Sequence, residues 1–341
     1  MKRFRAMRLV YPLGGVSLLA VLLCLSGVPA QANDSTALLG AGGLELTTSP
    51  DIVMAKEDLF LSSKAVRVQY EFRNEGKSDI TTRVAFPLPL VEQGAATNVD
   101  LPAREHENFV DFRVVVDGKD IHPQLEQRAI MADGRDVTDI LAAAGIPPNS
   151  FLPGWDEKLK ALPQDVWMKL VRDGLFEVDE KEAESRPEYI SPAWKLKATF
   201  HWEQTFPAGK VLRVHHSYMP IVGSSFVAES YDRSEDFKPY CLDADGNAGL
   251  RRKMRELKAK AKDHPDMSPL LVMREVDYVL TTGANWKGPI EDFHLTIDKE
   301  DPKAILSLCM EGLKKTGPTT FELERKNFTP KDDIRFATFG D

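Results

Sequence analysis

Residues 65–73 read AVRVQYEFR, with Val66, Val68, Tyr70 and Phe72 alternating against Arg67, Gln69, Glu71 and Arg73. Successive side chains point to opposite faces only in extended chain, so this is a strand with one face in an apolar core and the other in water. After the turn-forming NEGKSD at 74–79 the alternation resumes. Ile80, Thr82, Val84, Phe86 and Leu88 are directed inward, and Arg83 and Ala85 outward, until the prolines of FPLPL at 86–90 remove backbone donors. A third strand has Val110, Phe112, Val114 and Val116 inward and stops at the Asp117-Gly118 turn. The three read as antiparallel neighbours, and an apolar face shared by them needs a second layer, so a β-sandwich is the expected architecture.

The period changes between about residues 130 and 188. RDVTDILAAAG at 135–145 and QDVWMKLVRDG at 164–174 carry apolar residues at helical spacing and each ends on glycine, which predicts two short helices in an insertion. The acidic EVDEKEAE at 177–184 reads as a solvated linker or helix edge. Strand alternation returns with Leu196, Ala198, Phe200, Trp202 and Phe206, and again with Leu212, Val214, His216 and Tyr218. Joined by a short connection around PAGKV, these two predict a hairpin with Trp202 opposite His216, Phe200 opposite Tyr218, and Glu203 opposite His215 on the outer face. In residues 250–263, Leu250, Met254, Leu257 and Ala261 form one stripe among basic residues, an amphipathic helix. Further strands are expected at 276–280, 293–297 and 334–339. The fold class is thus mainly β with α insertions (α+β), in antiparallel β-sandwich lobes. Its expected parts are a leader at 1–32, sandwich strands at 33–125, a helical insertion at 126–188 and a β-rich region at 189–341.

The leader carries Lys2, Arg3, Arg5 and Arg8 with no acidic residue before Asp34, then a mostly apolar stretch to Val28 and the triplet Ala30-Gln31-Ala32. This is the outline of a secretory signal peptide cut after Ala32. A retained transmembrane helix needs about twenty apolar residues, and Gly14, Gly15, Ser17, Ser26, Gly27 and Pro29 interrupt this one. Cleavage moves the formal net charge from −8 to about −12, which argues against nucleic acid as a partner, and leaves no transmembrane segment. A periplasmic or secreted location follows. It leaves Cys241 and Cys309 as an even pair in an oxidising compartment, where a disulfide closing a loop of about 69 residues is expected, two separate buried thiols being the alternative.

No Gly-x-Ser-x-Gly elbow, Cys-x-x-Cys pair, phosphate loop or dinucleotide fingerprint is present, and no cofactor is expected. DADGN at 243–247 spaces its oxygens like the opening of a calcium loop, but the glycine falls one place early and Met254 stands where a bidentate Glu belongs; an Asp-Gly turn is the plainer reading. His201, His215 and His216 would make a zinc site only if they converged, whereas the alternation points His216 inward and His215 outward. No metal site is assigned. Trp202, His215 and His216 remain candidate binding residues. So do Arg251, Arg252, Lys258 and Lys262 of the basic helix, which has seven Lys or Arg in 251–262 against one Glu256. That helix suits an anionic envelope component or an acidic envelope protein; otherwise it is simply solvated, or neutralised by residues 177–184.

Six pieces taken together, ANDSTALLGAGGLEL at 32–46, EDLFLSSKAVRVQYEFRN at 57–74, TTRVAFPLP at 81–89, WEQTFPAGKVLRVHHSYMP at 202–220, YC at 240–241 and VLTTGANWKGPIEDFHLTI at 279–297, resemble the bacterial exported proteins of domain-of-unknown-function family 4424. The resemblance implies that the family's mature chain begins near ANDS; it implies no activity. The first strands and AFPLP are also similar to the β-sandwich of vault-protein and inter-alpha-trypsin type, which bears on fold alone. The function expected is a non-enzymatic binding or interaction protein of the periplasm, with a hydrolase sited between two lobes as the alternative.

Overall fold

The computed structural model describes residues 33–40, 43–94, 98–186, 190–228, 237–262 and 270–340. The predicted signal peptide lies outside them. In chain order the strands are β1 (Ser35–Gly40), β2 (Gly43–Thr47), β3 (Ile52–Leu61), β4 (Val66–Asn74), β5 (Ile80–Pro87), β6 (Val99–Asp100), β7 (Arg113–Val116), β8 (Lys119–Ile121) and β9 (Gln124–Met131). Four short helices follow: α1 (Thr138–Ala143), α2 (Trp155–Lys160), α3 (Gln164–Arg172) and α4 (Glu180–Ala183). Then come β10 (Trp194–Phe206), β11 (Val211–Tyr218), β12 (Val222–Ala228), α5 (Ala244–Ala261), β13 (Leu270–Tyr278), β14 (Ile290–Asp298), β15 (Ile305–Leu308), β16 (Lys314–Lys315), β17 (Thr320–Phe328) and β18 (Ile334–Gly340).

The strands form three sheets, in the orders β2-β1-β5-β10-β9, β16-β17-β14-β3-β4-β11-β7-β8 and β15-β18-β13-β12-β6. The first two face each other as a sandwich, with Phe112 stacked on Phe200 at 4.3 Å between ring centroids. The third continues the same core through Val276, Tyr278 and Phe336. Among the described residues, pairing between the named strands is antiparallel except between β14 and β3.

Two sequence expectations are corrected here. Residues 66–74 and 80–87 are not neighbours in one sheet, and β10 and β11 do not form a hairpin. β5 pairs with β10 in the first sheet, while β4 pairs with β11 in the second. Glu203 therefore lies opposite Arg83, and His215 opposite Gln69. Both connections cross from one sheet to the other, and they clamp each other where they cross. Asn74 Nδ2 donates to the Phe206 carbonyl at 2.8 Å, Gly209 N–H donates to the Asn74 carbonyl at 3.0 Å, and Ala208 N–H donates to Asp79 Oδ1 at 2.9 Å. Alternation assigns a side chain to a face; it does not say whether the strand bearing a facing residue lies beside or across.

Smaller corrections follow the same logic. Ala85 is buried, because its outer face is covered by Ala37 and Leu44. Val110 and Phe112 are buried, but the strand itself begins at Arg113. The basic helix begins at Ala244, not near 250, because Asp243 caps it: Asp243 Oδ1 accepts from Gly246 N–H at 2.7 Å, so DADGN opens a helix and is not a free turn.

The helical insertion packs a cluster centred on Trp155, Trp167 and Phe176 against the first sheet at Ala129 and Trp194. Each indole finds an acceptor: Trp155 bonds the Pro147 carbonyl at 3.1 Å, Trp167 that of Ala183 at 2.9 Å and Trp194 that of Pro148 at 2.8 Å. The acidic segment thus packs on α3, while α5 rests on the third sheet through Leu250 and Met254. No helix among the described residues is long and apolar enough to cross a membrane.

Candidate functional site

Two of the motifs that carry the family resemblance meet in space. Residues 281–286 of TTGANW wrap Asn33, Asp34 and Ser35 inside the core. Asn33 N–H donates to Thr282 Oγ1, the Thr282 hydroxyl donates to the Asn33 carbonyl at 2.6 Å, Trp286 Nε1 donates to the Asp34 carbonyl at 2.7 Å, and Asn285 Nδ2 donates to Ser35 Oγ at 2.9 Å. Gly283 permits the approach, since a Cβ there would stand 2.9 Å from Asn33 Nδ2. Asn33, Asp34 and Ser35 are fully buried.

Glu57 is buried beside them. A β-bulge between Met54 and Lys56 shifts the alternation of β3, putting Glu57 in phase with Leu59 and Leu61. Both Glu57 carboxylate oxygens accept from Asn33 Nδ2, at 3.1 and 3.2 Å. Tyr70 donates its hydroxyl proton to Asn33 Oδ1 and lies 3.2 Å from the Tyr278 hydroxyl. Burial pushes the Glu57 carboxyl up to about 8, with the Asn33 bond acting against it. Burial, with Glu57 nearby, also raises Asp34 well above its usual range. His216 Nε2 stands 3.6 Å from Asp34 Oδ2, beyond a hydrogen bond, and burial holds the imidazole down to about 3, so this contact is not an ion pair. The Asp34 carboxylate and both His216 ring nitrogens have no hydrogen-bond partner among the described residues.

A solvent-reaching cleft of about 380 Å³ opens at the junction of the sandwich with the third sheet. Its lining includes the apolar side chains of Leu88 and Val91, the ring of Tyr218, and the polar groups of Tyr240, Glu275 and Asp277. β13 supplies both carboxylates from the face that farther back carries Leu271 and Met273. Gly223 opposite leaves room for Glu275, whose Oε2 would lie 3.2 Å from a Cβ at 223. The Tyr240 hydroxyl is hydrogen-bonded to Glu275 and is driven upward by burial first and by the carboxylates second. Burial raises Asp277, partly offset by Arg335, whose Nε is 3.8 Å from Asp277 Oδ2. The Tyr218 hydroxyl is buried, with no partner among the described residues.

The residues predicted from sequence scatter around this geometry. Trp202 and His216 meet in the core, whereas His215 lies on the outer face in a shallow groove with Gln69 and Arg213. His201 is half-buried on β10 beside Ala85 and Gln124. Arg251, Arg252, Lys258 and Lys262 are exposed on or just beyond α5. Cys241 and Cys309 are joined, with Cα atoms 4.9 Å apart, tying the turn before α5 to the end of β15. No group of three or more His, Cys, Asp or Glu among the described residues is arranged to hold a metal ion. Sequence reasoning did not find Glu57, Tyr240, Glu275 or Asp277. For Glu57 a signal existed, its alternation with Leu59 and Leu61.

Among solved structures, the chain is similar to a candidate nutrient binding protein from Legionella pneumophila, at 15% identity and a TM-score of 0.46 over 91% of this chain and 70% of that one. It is also similar to an M1 zinc metallopeptidase from Deinococcus radiodurans, at 8% identity and a TM-score of 0.25, covering 86% of this chain and 43% of that one. At these scores neither likeness carries an argument about what this chain does. No curated protein matches it. The family described as Domain of unknown function (DUF4424) matches over residues 32–336, nearly the whole chain, and the protein belongs to that family.

Proposed function

We propose that the protein is exported to the cell envelope, periplasmic or secreted, and acts there by binding a small ligand that bears a protonated amine. The observation that carries this reading is the cleft at the sandwich junction. It brings two carboxylates, Glu275 and Asp277, to one recess with Tyr218 and Tyr240, beside the apolar side chains of Leu88 and Val91. Convergent polar groups beside apolar surface are what orient a small ligand in a recess, and paired carboxylates favour a cation. The leader-like first residues and the Cys241–Cys309 bond support export.

The test is thermal denaturation of purified protein with a series of alkyl diamines and the matching diols. The expected result is a rise in Tm with the diamines that Asp277→Asn or Glu275→Gln removes. An equal response to diamines and diols, or one that survives both substitutions, overturns the reading. Turnover of ester or amide probes blocked by the same substitutions would favour a hydrolase in its place.

A further inference from the structure

We propose that the chain is cut between Ala32 and Asn33, and that the α-ammonium so created at Asn33 becomes the buried counter-ion of Glu57, completing the core. This rests on the export reading above but concerns a different site from the cleft. The step is a hydrolysis: the peptide C–N bond breaks, the oxygen of water goes to the Ala32 carbonyl carbon, and the Asn33 nitrogen takes up protons to become an ammonium. The co-reactant is water and the agent an endopeptidase that accepts small residues, as 30–32 offer.

The geometry around Asn33 points this way. Its backbone nitrogen is already enclosed, with Thr282 Oγ1 as acceptor. Its carboxamide nitrogen touches both oxygens of Glu57, and since the two nitrogens belong to one residue, the amine would form in the same enclosed space. Gly283 and Trp286 hold the segment where it is. The charge inventory is one-sided. Among the described residues, Asp34, Glu57, His216, Tyr70 and Tyr278 are the titratable groups placed around Asn33 in the core, and none of them is a cation while His216 is held neutral. Buried carboxylates are stable as charges only when paired and hydrogen-bonded. With the peptide bond intact, burial favours the protonated form of Glu57; with a free amine, which ordinarily titrates near 8, the carboxylate gains a partner of opposite charge.

Intact mass of the exported protein gives the starting residue, and a start other than Asn33 removes the processing half of the proposal while leaving the cleft untouched. The counter-ion is tested with two purified chains, one beginning at Asn33 and one beginning at Ala32, each with Glu57 and with Glu57→Gln. In the Asn33 chain the substitution is expected to lower Tm by roughly 5 °C or more, because it strands a buried ammonium. In the Ala32 chain it is expected to leave Tm unchanged or raise it. Equal shifts in both chains overturn the pairing. Because the substituted Asn33 chain can fail to fold, acylation of the unsubstituted chains at neutral pH is the second measurement. The Asn33 amine should react at least ~10-fold more slowly than the Ala32 amine, since opening must precede reaction; equal rates overturn burial of the amine.

Discussion

Trp202 and His216 meet edge to face, with ring centroids 5.4 Å apart and planes at 87°, although Trp202 belongs to one sheet of the sandwich and His216 to the other. The contact is one between layers. Tyr70, Phe86 and Phe112 close the rest of the cage, each within 5.4 Å of the imidazole centroid. His216 thus works as an aromatic core residue, and His215 next to it in sequence faces outward.

Replacing His216 by Ala should destabilise the protein by about 3 kcal/mol in urea denaturation, since the cage cannot collapse onto the space vacated. The imidazole also makes a pH prediction. Its folded pKa is about 3 against an ordinary 6.5, so below 6.5 the unfolded chain binds a proton that the folded one refuses. Stability should fall as pH drops from 6.5 toward 3, and His216→Phe should flatten that limb.

Glu57 acts in the opposite sense in a chain that retains the peptide bond before Asn33. Its folded pKa is raised to about 8 from 4.5, so the folded state keeps a proton that the unfolded state has released. Stability is fully present below 4.5 and should be lost as pH rises toward and through 8. Glu57→Gln should abolish that slope in denaturant melts taken across the window. A slope that persists would assign it to other groups.

Reduction of Cys241–Cys309, which spans 68 residues, should cost about 4 kcal/mol in the chain-entropy account. The loss should appear first as hydrogen exchange in α5, which packs on the third sheet through Leu250, Met254 and Ile305, and in β15, the edge strand of that sheet to which the bond ties it. Exchange that rises uniformly over the sandwich would contradict a local role.

Reversing Arg251, Arg252, Lys258 and Lys262 to Glu should change stability by less than about 1 kcal/mol, because these side chains are exposed and α5 is held by its apolar stripe. If they contact an anionic envelope component, the same variant should lose sedimentation with envelope fractions, and added salt should release the parent protein as the screening length shrinks from about 10 Å at 0.1 M to 3 Å at 1 M. Sedimentation unmoved by either change would remove α5 from the contact surfaces.

Much of the architecture was legible because alternation is a local property of extended chain. Val66 to Phe72, Val84 to Leu88 and Leu212 to Tyr218 all bury the side chains their spacing assigns to the core. The same spacing placed Trp202 and His216 toward each other but chose the wrong geometry between them. A residue facing inward has the same pattern whether its partner strand is hydrogen-bonded beside it or packed across the core, and the crossing clamp of Asn74, Asp79 and Gly209 is a long-range choice. The candidate sites were less legible still. Glu57 enters the core through a bulge, Asn33 through a glycine some 250 residues away, and the cleft through strand ends far apart in the chain. Composition and periodicity therefore determined the β class, the helical insertion, the amphipathic helix and the cysteine pair. Strand partnership, the enclosure of residues 33–35 and the convergence of Tyr218 with Glu275 and Asp277 were decided by tertiary packing, because they depend on which distant surfaces exclude water from one another.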